Sequence, residues 1–479
     1  MSVSTQKVTS NAAWYMIALT LQKVISFVYF TLLARYLGPE DTGKYFFATS
    51  YVLIFAVFAD LGMSAIATRE VAKGGEGADK LFNQIISLKI VTSLFVIVAL
   101  GLITPFLVHD LATAILIIVA AIAMVMDGFT LIFYSGIRGK QNLGYESFAT
   151  LLHQFIILVI GFTLIRLHFP VDILIVALVV ASSFNFAYSW WVARRKVGFH
   201  LHWTWNQGLL RELWTLIVPF ALAAVFTRLY AYTDSVLLRL MQGSTEVGYY
   251  SVAYKITFAF QFIPLAFVAA LYPAFAYYWQ HDREQLAVTF TRSIHYLLLV
   301  AAPISLGLIV SAPYVIPHIY TGAFGNAVLP LQILITNLPF LFINFPLGSL
   351  LNAINQQRAQ TAIVTAGLIW NVTSNLILIP MYGARGAAAA STTSTILVFI
   401  LSLWVLNRHI AYNRAKTLIM AVKTLIMAFL MALLILFLVH YLNIYLTIAL
   451  AALAYLAGTW ILGLLKPADL RTLLASLKR

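Results

Sequence analysis

The sequence has no cysteine and few acids, 16 Asp and Glu against 30 Lys and Arg in 479 residues. Without cysteine there is no disulfide, no thiolate nucleophile and no Cys-ligated metal. Charge of either sign is scarce, 10% of the chain, where a soluble domain carries about a quarter. So few charged side chains cannot solvate a surface of this size, which excludes an ordinary soluble enzyme, a disordered regulator and a coiled coil. Long polar loops are missing too, so no extramembrane domain is expected. What is abundant is apolar: 62% of residues, with a mean hydropathy of +0.91. The composition predicts a polytopic membrane protein.

A bilayer core takes about 20 apolar residues per helix. About fourteen such runs follow one another: 12–37, 42–66, 83–106, 111–135, 145–167, 172–193, 213–240, 247–275, 291–316, 328–353, 359–381, 386–408, 417–440 and 444–465. They are continuous rather than alternating, so a β-barrel is excluded. The first run is too long, and lacks the cleavage pattern, for a removable signal peptide. With both termini in the cytoplasm, only Arg35, Lys44, Arg166, Arg239 and Arg385 fall outside, five bases lie within spans, and the other twenty of the thirty collect inside. Cytoplasmic loops gather Lys and Arg in this way. The net charge of +14 is therefore mostly topological, and no nucleic-acid partner is expected. The longest connection, 194–212, interleaves Trp203, Trp205, His200 and His202 with bases. It reads as an interfacial segment on anionic lipid. The two histidines have no companion carboxylate or cysteine for a metal, so no metal site and no cofactor are expected.

A shift of 205 residues lays Gly43-Lys44-Tyr45-Phe46-Phe47-Ala48 over Gly248-Tyr249-Tyr250-Ser251-Val252-Ala253, each just after an acidic turn, and Lys23 over Arg228. Two six-helix lobes follow, related by a pseudo-twofold along the membrane normal, with two further helices at the C-terminus. The expected fold is thus an all-α polytopic membrane protein. It comprises an N-terminal lobe at 1–196, an interfacial cytoplasmic linker at 197–212, a C-terminal lobe at 213–410, and extra helices with a basic tail at 411–479. Pro219, Pro264, Pro273, Pro303, Pro339 and Pro346 fall within spans of the second lobe, which predicts bent helices there.

Ionisable groups inside a span are costly and should face protein, water or ligand. Lys89 and Lys423 lie near enough to a cytoplasmic end to snorkel. Lys23 and Arg228 are each about ten residues from either end, roughly 15 Å at helical rise, and Lys255 is intermediate. A central cavity or a buried ion pair would satisfy them, and their depth favours the cavity. Gln22 and Ser26 put a polar stripe beside Lys23, and Tyr232 shares a helix face with Arg228. These six residues are the candidate substrate contacts. Asp60, Asp127, Asp234 and His153 are candidate ion-pair or proton-coupling groups. Bases in a cavity suit a phosphate or pyrophosphate, whose oxygens accept charge-assisted hydrogen bonds. No residue set points to catalysis, so a transporter rather than an enzyme is expected.

Leu33-Ala34-Arg35-Tyr36-Leu37-Gly38-Pro39-Glu40-Asp41-Thr42-Gly43-Lys44-Tyr45, followed by Ala59-Asp60-Leu61-Gly62 and Thr68-Arg69-Glu70-Val71-Ala72, resembles the opening of Wzx-type polysaccharide-biosynthesis flippases. Asp234-Ser235-Val236 with Val247 to Lys255, and Leu378 to Ala388, resemble two later stretches of that family. The resemblance covers about 5–460. It implies the superfamily that also holds multidrug and toxin exporters and lipid II flippases, two six-helix lobes around a cavity, and alternating access. The implied cargo is a polyprenyl-pyrophosphate-linked oligosaccharide moved to the outer leaflet of the plasma (inner) membrane. Membrane lipids, a polysaccharide polymerase and glycosyltransferases are the implied partners. A multidrug or cation-coupled exporter and a lipid II flippase are the nearest alternatives. An integral-membrane glycan polymerase or glycosyltransferase is the alternative of another class.

Overall fold

The computed structural model describes residues 5–74, 77–199 and 202–465. His200, Lys466, Arg471, Lys478 and Arg479, counted above among histidines and bases of the cytoplasmic side, lie outside the described residues. The described chain is nearly all helical. Eleven of its helices are long and apolar enough to cross a membrane, or twelve if one bent pair is a single span. The chain falls into two compact units, residues 1–255 with 372–387 and residues 256–371 with 388–479.

The first unit begins with α1 (Thr5–Asp60), whose length conceals a break. Gly38 sits at φ 74°, ψ −178°, a conformation open to glycine, and Pro39 has no N–H to continue the ladder. Then come α2 (Met63–Lys73), α3 (Ala78–Leu107), α4 (Leu111–Gly139), α5 (Leu143–Arg166), the single turn α6 (Val171–Leu174), α7 (Val176–Trp191), α8 (Gln207–Gln242) and the start of α9 (Ser244–Ala259). α1 packs against α5, α8, α4 and α3, and α4 against α7 and α2. Asp110 caps α4 by accepting from the Thr113 N–H at 2.8 Å, and Asn206 caps α8 through the Gly208 and Leu209 N–H groups. Each cap satisfies donors that a helix start leaves open.

The linker is more tightly held than its composition implies. The N–H groups of His202, Thr204 and Asn206 donate to Asn83 Oδ1, Ser87 Oγ and Gln84 Oε1 on α3, at 3.0, 3.0 and 2.8 Å. Phe199 stacks on Phe82 at 4.4 Å. The segment is thus bound along α3 by side chains, while Trp203 and Trp205 stack on each other at 5.8 Å and remain exposed.

The second unit continues with α10 (Phe262–His281), α11 (Arg283–Tyr320), α12 (Val328–Ile335), α13 (Leu338–Ala353), α14 (Gln357–Tyr382) as far as residue 371, α15 (Ala384–Leu406) from residue 388, α16 (Arg414–Leu438) and α17 (Ile444–Ile461). α11 is its axis, packed by α16, α13 and α12, and α17 lies on α16. The core joins Phe290, Leu298, Leu350, Ile435 and Tyr455, and the Tyr455 hydroxyl donates to Leu299 O at 2.8 Å.

Proline acts unevenly. The helix breaks just ahead of Pro264, at 260–261, and again at 336–337 before Pro339, where the chain bends by 41°. α11 runs unbroken through Pro303, Pro313 and Pro317. Large apolar side chains face outward in numbers, Phe106 at 82% exposure and Ile461 at 75%. In water such a surface would aggregate; against acyl chains it is the solvent-facing layer.

Candidate functional site

The three predicted substrate-binding bases all belong to the first unit. Lys255 on α9 sits over the rings of Phe30 and Phe46 on α1, its Nζ 5.1 and 5.9 Å from their centroids. The rings are 6.2 Å apart, and Phe46 also meets Tyr254 at 5.7 Å. A half-buried ammonium on aromatic faces keeps part of its lost hydration as cation–π attraction, about 0.5–2 kcal/mol. Lys23 lies within electrostatic reach of Lys255. Arg228 and Tyr232 lie within reach of Tyr254, the neighbour of Lys255. Lys23 and Arg228 are exposed, while Gln22 and Ser26 are half-buried beside Lys23. Among the described residues no acid forms an ion pair with Lys23, Arg228 or Lys255. The result is a positive, aromatic-floored region built by α1 and α9, with Arg228 of α8 within reach of Tyr254.

The acids take other places. Asp234 is buried and accepts from the Tyr250 hydroxyl and from Asn375 Nδ2, both at 2.7 Å. It ties α8 to α9 and α14. Asp60 accepts from Ser64 Oγ at 3.0 Å and lies 3.4 Å from the ammonium of Lys89, which is only 1% exposed. Lys89 therefore pairs inside the protein instead of snorkelling, its stem against Gly128. Asp127 on α4 faces Ser182 on α7, and His153 Nε2 on α5 is 3.5 Å from the Ser182 oxygen. Ser182 thus stands between the carboxylate and the imidazole, and the three groups neighbour one another from three helices.

Tyr250, Asn375 and Ser182 are not singled out by the sequence. Asn375 is a polar residue deep in an apolar run, which is a usable signal. Ser182 carries none, since serine is common in membrane helices and commonly bonds its own backbone.

Outside the spans, Asp110 accepts from Arg239 at 2.8 Å. Burial alone would raise its carboxyl, but hydrogen bonds from Thr113 and the charges of Arg239 and Lys44 outweigh it and hold the group below the ordinary carboxylate range. Glu246 accepts from the Ala384 N–H at 2.7 Å, closing the turn at Gly383, whose φ is 56°. No cluster of three metal-ligating side chains occurs among the described residues.

The family model described as "Polysaccharide biosynthesis protein" matches residues 8–279, and the MatE model matches residues 219–377. A relative in Haloferax volcanii, named "Probable low-salt glycan biosynthesis flippase Agl15", is 21% identical over 411 residues, covering 84% of this chain and 85% of that protein. Among solved structures, the lipid II flippase MurJ in an inward closed conformation superposes with a TM-score of 0.77. It is 17% identical and covers 94% of this chain and 98% of its own. An inward-facing multidrug resistance MATE family transporter of the MOP superfamily gives a TM-score of 0.68 at 15% identity, covering 82% of this chain and 98% of its own. These two likenesses establish the fold.

Proposed function

The chain belongs to the polysaccharide biosynthesis protein family and is a flippase of the superfamily that includes the multidrug exporters, and from this we propose its cargo and path. It turns polyprenyl-pyrophosphate-linked oligosaccharide repeat units from the cytoplasmic to the outer leaflet of the plasma membrane. Lys23, Arg228 and Lys255 receive the pyrophosphate, with Gln22, Ser26 and Tyr232 contacting the headgroup. The single observation that carries this reading is Lys255 seated on Phe30 and Phe46 within electrostatic reach of Lys23, neither base paired with an acid among the described residues. Fixed cations in a wet path lower the cost of moving an anion through hydrocarbon.

Fourteen spans follow if the break at Gly38 divides α1 into two and α8 also crosses. Two six-helix lobes then enclose a central cavity, α16 and α17 are the extra pair, and both termini are cytoplasmic. Alternating access would load the headgroup from inside and release it outside while the prenyl tail stays in lipid. Asp127 and His153, with Ser182 between them, are the proposed coupling groups, because neighbouring titratable groups inside a span are suited to take and pass a proton. Asp60 and Asp234 hold ion-pair and hydrogen-bond partners of their own and act as braces. A polymerase and glycosyltransferases would consume and supply the cargo.

A multidrug exporter of cations would not place unpaired bases in its path, which disfavours that reading. Binding tests the proposal. Purified protein in nanodiscs should hold a fluorescent lipid-linked oligosaccharide, and Lys23→Gln should weaken it about tenfold, the effect of losing one charge-assisted contact. Unchanged affinity would remove Lys23 from the site.

A further inference from the structure

At one end of the second unit stand Arg283, Arg292, Arg358, Arg408, Arg414 and Lys416, where α11, α14 and α16 begin and α15 ends. Between α11 and α16, beneath the loop at 411–413, lies a cavity of about 560 Å³, within the range of about 300–1,000 Å³ usual for small-molecule sites. Its polar lining includes Arg292, Lys416, Tyr412 and the acid Glu284, and its apolar lining includes Val288 and Met420. A second hollow of about 520 Å³ shares Glu284 and adds Arg283. From Glu284 to His295 the wall descends eleven residues of α11, roughly 16 Å at helical rise. That exceeds the headgroup layer of about 5–8 Å on each side of a bilayer, so the wall runs from headgroup level into hydrocarbon.

Two further features mark this cavity as built to hold something. Asn413 caps α16 by accepting from the Lys416 N–H at 2.9 Å, so the positive end of that helix opens at the cavity mouth. His295, which lines the wall and is only 6% exposed, donates from Nε2 to Leu464 O at 2.8 Å. Its Nδ1 is buried with no partner among the described residues. A buried ring nitrogen without a partner is unusual, and marks a place where a polar group of a ligand is accommodated.

We propose that this cavity binds one anionic phospholipid, its phosphodiester held by Arg292 and Lys416, as a fastener between α11 and the terminal pair α16–α17. The ligand is an amphiphile because the cavity is polar at its mouth and apolar below. The neighbouring surface of α16, at Leu418 and Ile419, is exposed and apolar, suited to acyl chains. Lys423 is thereby explained. It is exposed on the face of α16 that carries Lys416 and Met420, at i, i+4 and i+7, two turns below the phosphate level and able to snorkel toward it.

The test uses the purified full-length protein, delipidated and returned to nanodiscs of phosphatidylcholine. Phosphatidylglycerol, extra phosphatidylcholine or inorganic phosphate is then titrated, and native mass spectrometry and the thermal midpoint are read. One phosphatidylglycerol should be retained and should raise the midpoint, with neither control doing so. Arg292→Gln with Lys416→Gln should weaken that retention about 30-fold, and Arg292→Lys with native Lys416 should keep most of it. Three outcomes overturn the proposal: equal retention of phosphatidylcholine, an equal effect of inorganic phosphate, or unchanged phosphatidylglycerol retention in the double glutamine variant. The expected results do not depend on which cargo the protein moves.

Discussion

Gly43 and Gly248, one 205 residues after the other, meet backbone to backbone. A Cβ built on Gly43 would collide with Ser244 O and stand 2.8 Å from the Gly248 nitrogen, and one on Gly248 would collide with Pro39 O. The two positions that the repeat superposes are thus the two that allow α1 and α9 to touch. That contact sets the neighbouring α1 segment, with Phe46, against Tyr254 and Lys255.

The first prediction concerns this crossing. Gly43→Ala or Gly248→Ala must push the two backbones apart, because no flexible side chain is there to yield. Overpacking typically costs about 1–3 kcal/mol. The thermal midpoint in detergent should fall for each variant, and the double variant should fall by less than the sum, since the helices are separated once. Full additivity would show that the two glycines do not share a contact.

Lys89 and Asp60 form a second testable pair. Lys89→Met leaves the Asp60 carboxylate without its cation, and breaking a buried pair costs about 3–5 kcal/mol. Asp60 keeps Ser64 and some exposure, so the lower end is expected. Lys89→Met combined with Asp60→Asn should recover much of the loss. Equal stability of the single and double variants would place Asp60 outside the pair.

The Asp110–Arg239 contact makes a prediction about pH. The folded carboxyl is held below its ordinary range. Its stabilisation is therefore complete above the unfolded pKa of about 3.9 and is lost as pH falls through the lower folded value. The Asp110 side chain is 37% exposed, so solvent screening limits the contribution to about 1 kcal/mol or less. Midpoints measured between pH 6 and pH 3 should decline less steeply in Arg239→Gln than in the parent. Parallel curves would show that Arg239 does not set the Asp110 charge.

How much of the molecule is legible in its sequence differs by level. Hydropathy locates the apolar runs, and the division between 12–37 and 42–66 anticipates the break at Gly38, because length and glycine–proline chemistry are local properties. Depth singles out Lys23, Arg228 and Lys255, and in the structure Lys23 lies within electrostatic reach of Lys255. Lateral neighbours are not legible. Helices in lipid are paired by packing and isolated polar contacts rather than by hydropathy, so the sequence suggests a snorkelling Lys89 where Asp60 holds it. The linker reads as interfacial from its Trp and Arg content. Its fastening depends on Asn83, Gln84 and Ser87 of α3 lining up along one extended strand of backbone, a coincidence of shape. Prolines mark bends only where, as at 260–261 and 336–337, the chain has other reasons to break; inside α11 surrounding helices keep the axis continuous.

The central claim is that the unpaired bases of the first unit carry an anionic lipid-linked glycan across. Its most direct test is flipping in proteoliposomes loaded with a fluorescent polyprenyl-pyrophosphate oligosaccharide, read by loss of the label to an impermeant quencher, with membrane insertion checked for each variant. The native protein should expose the labelled headgroup, and Arg228→Ala should insert normally yet stop doing so. Arg228→Ala flipping at the native rate, or a native protein that moves organic cations and not this cargo, would contradict it.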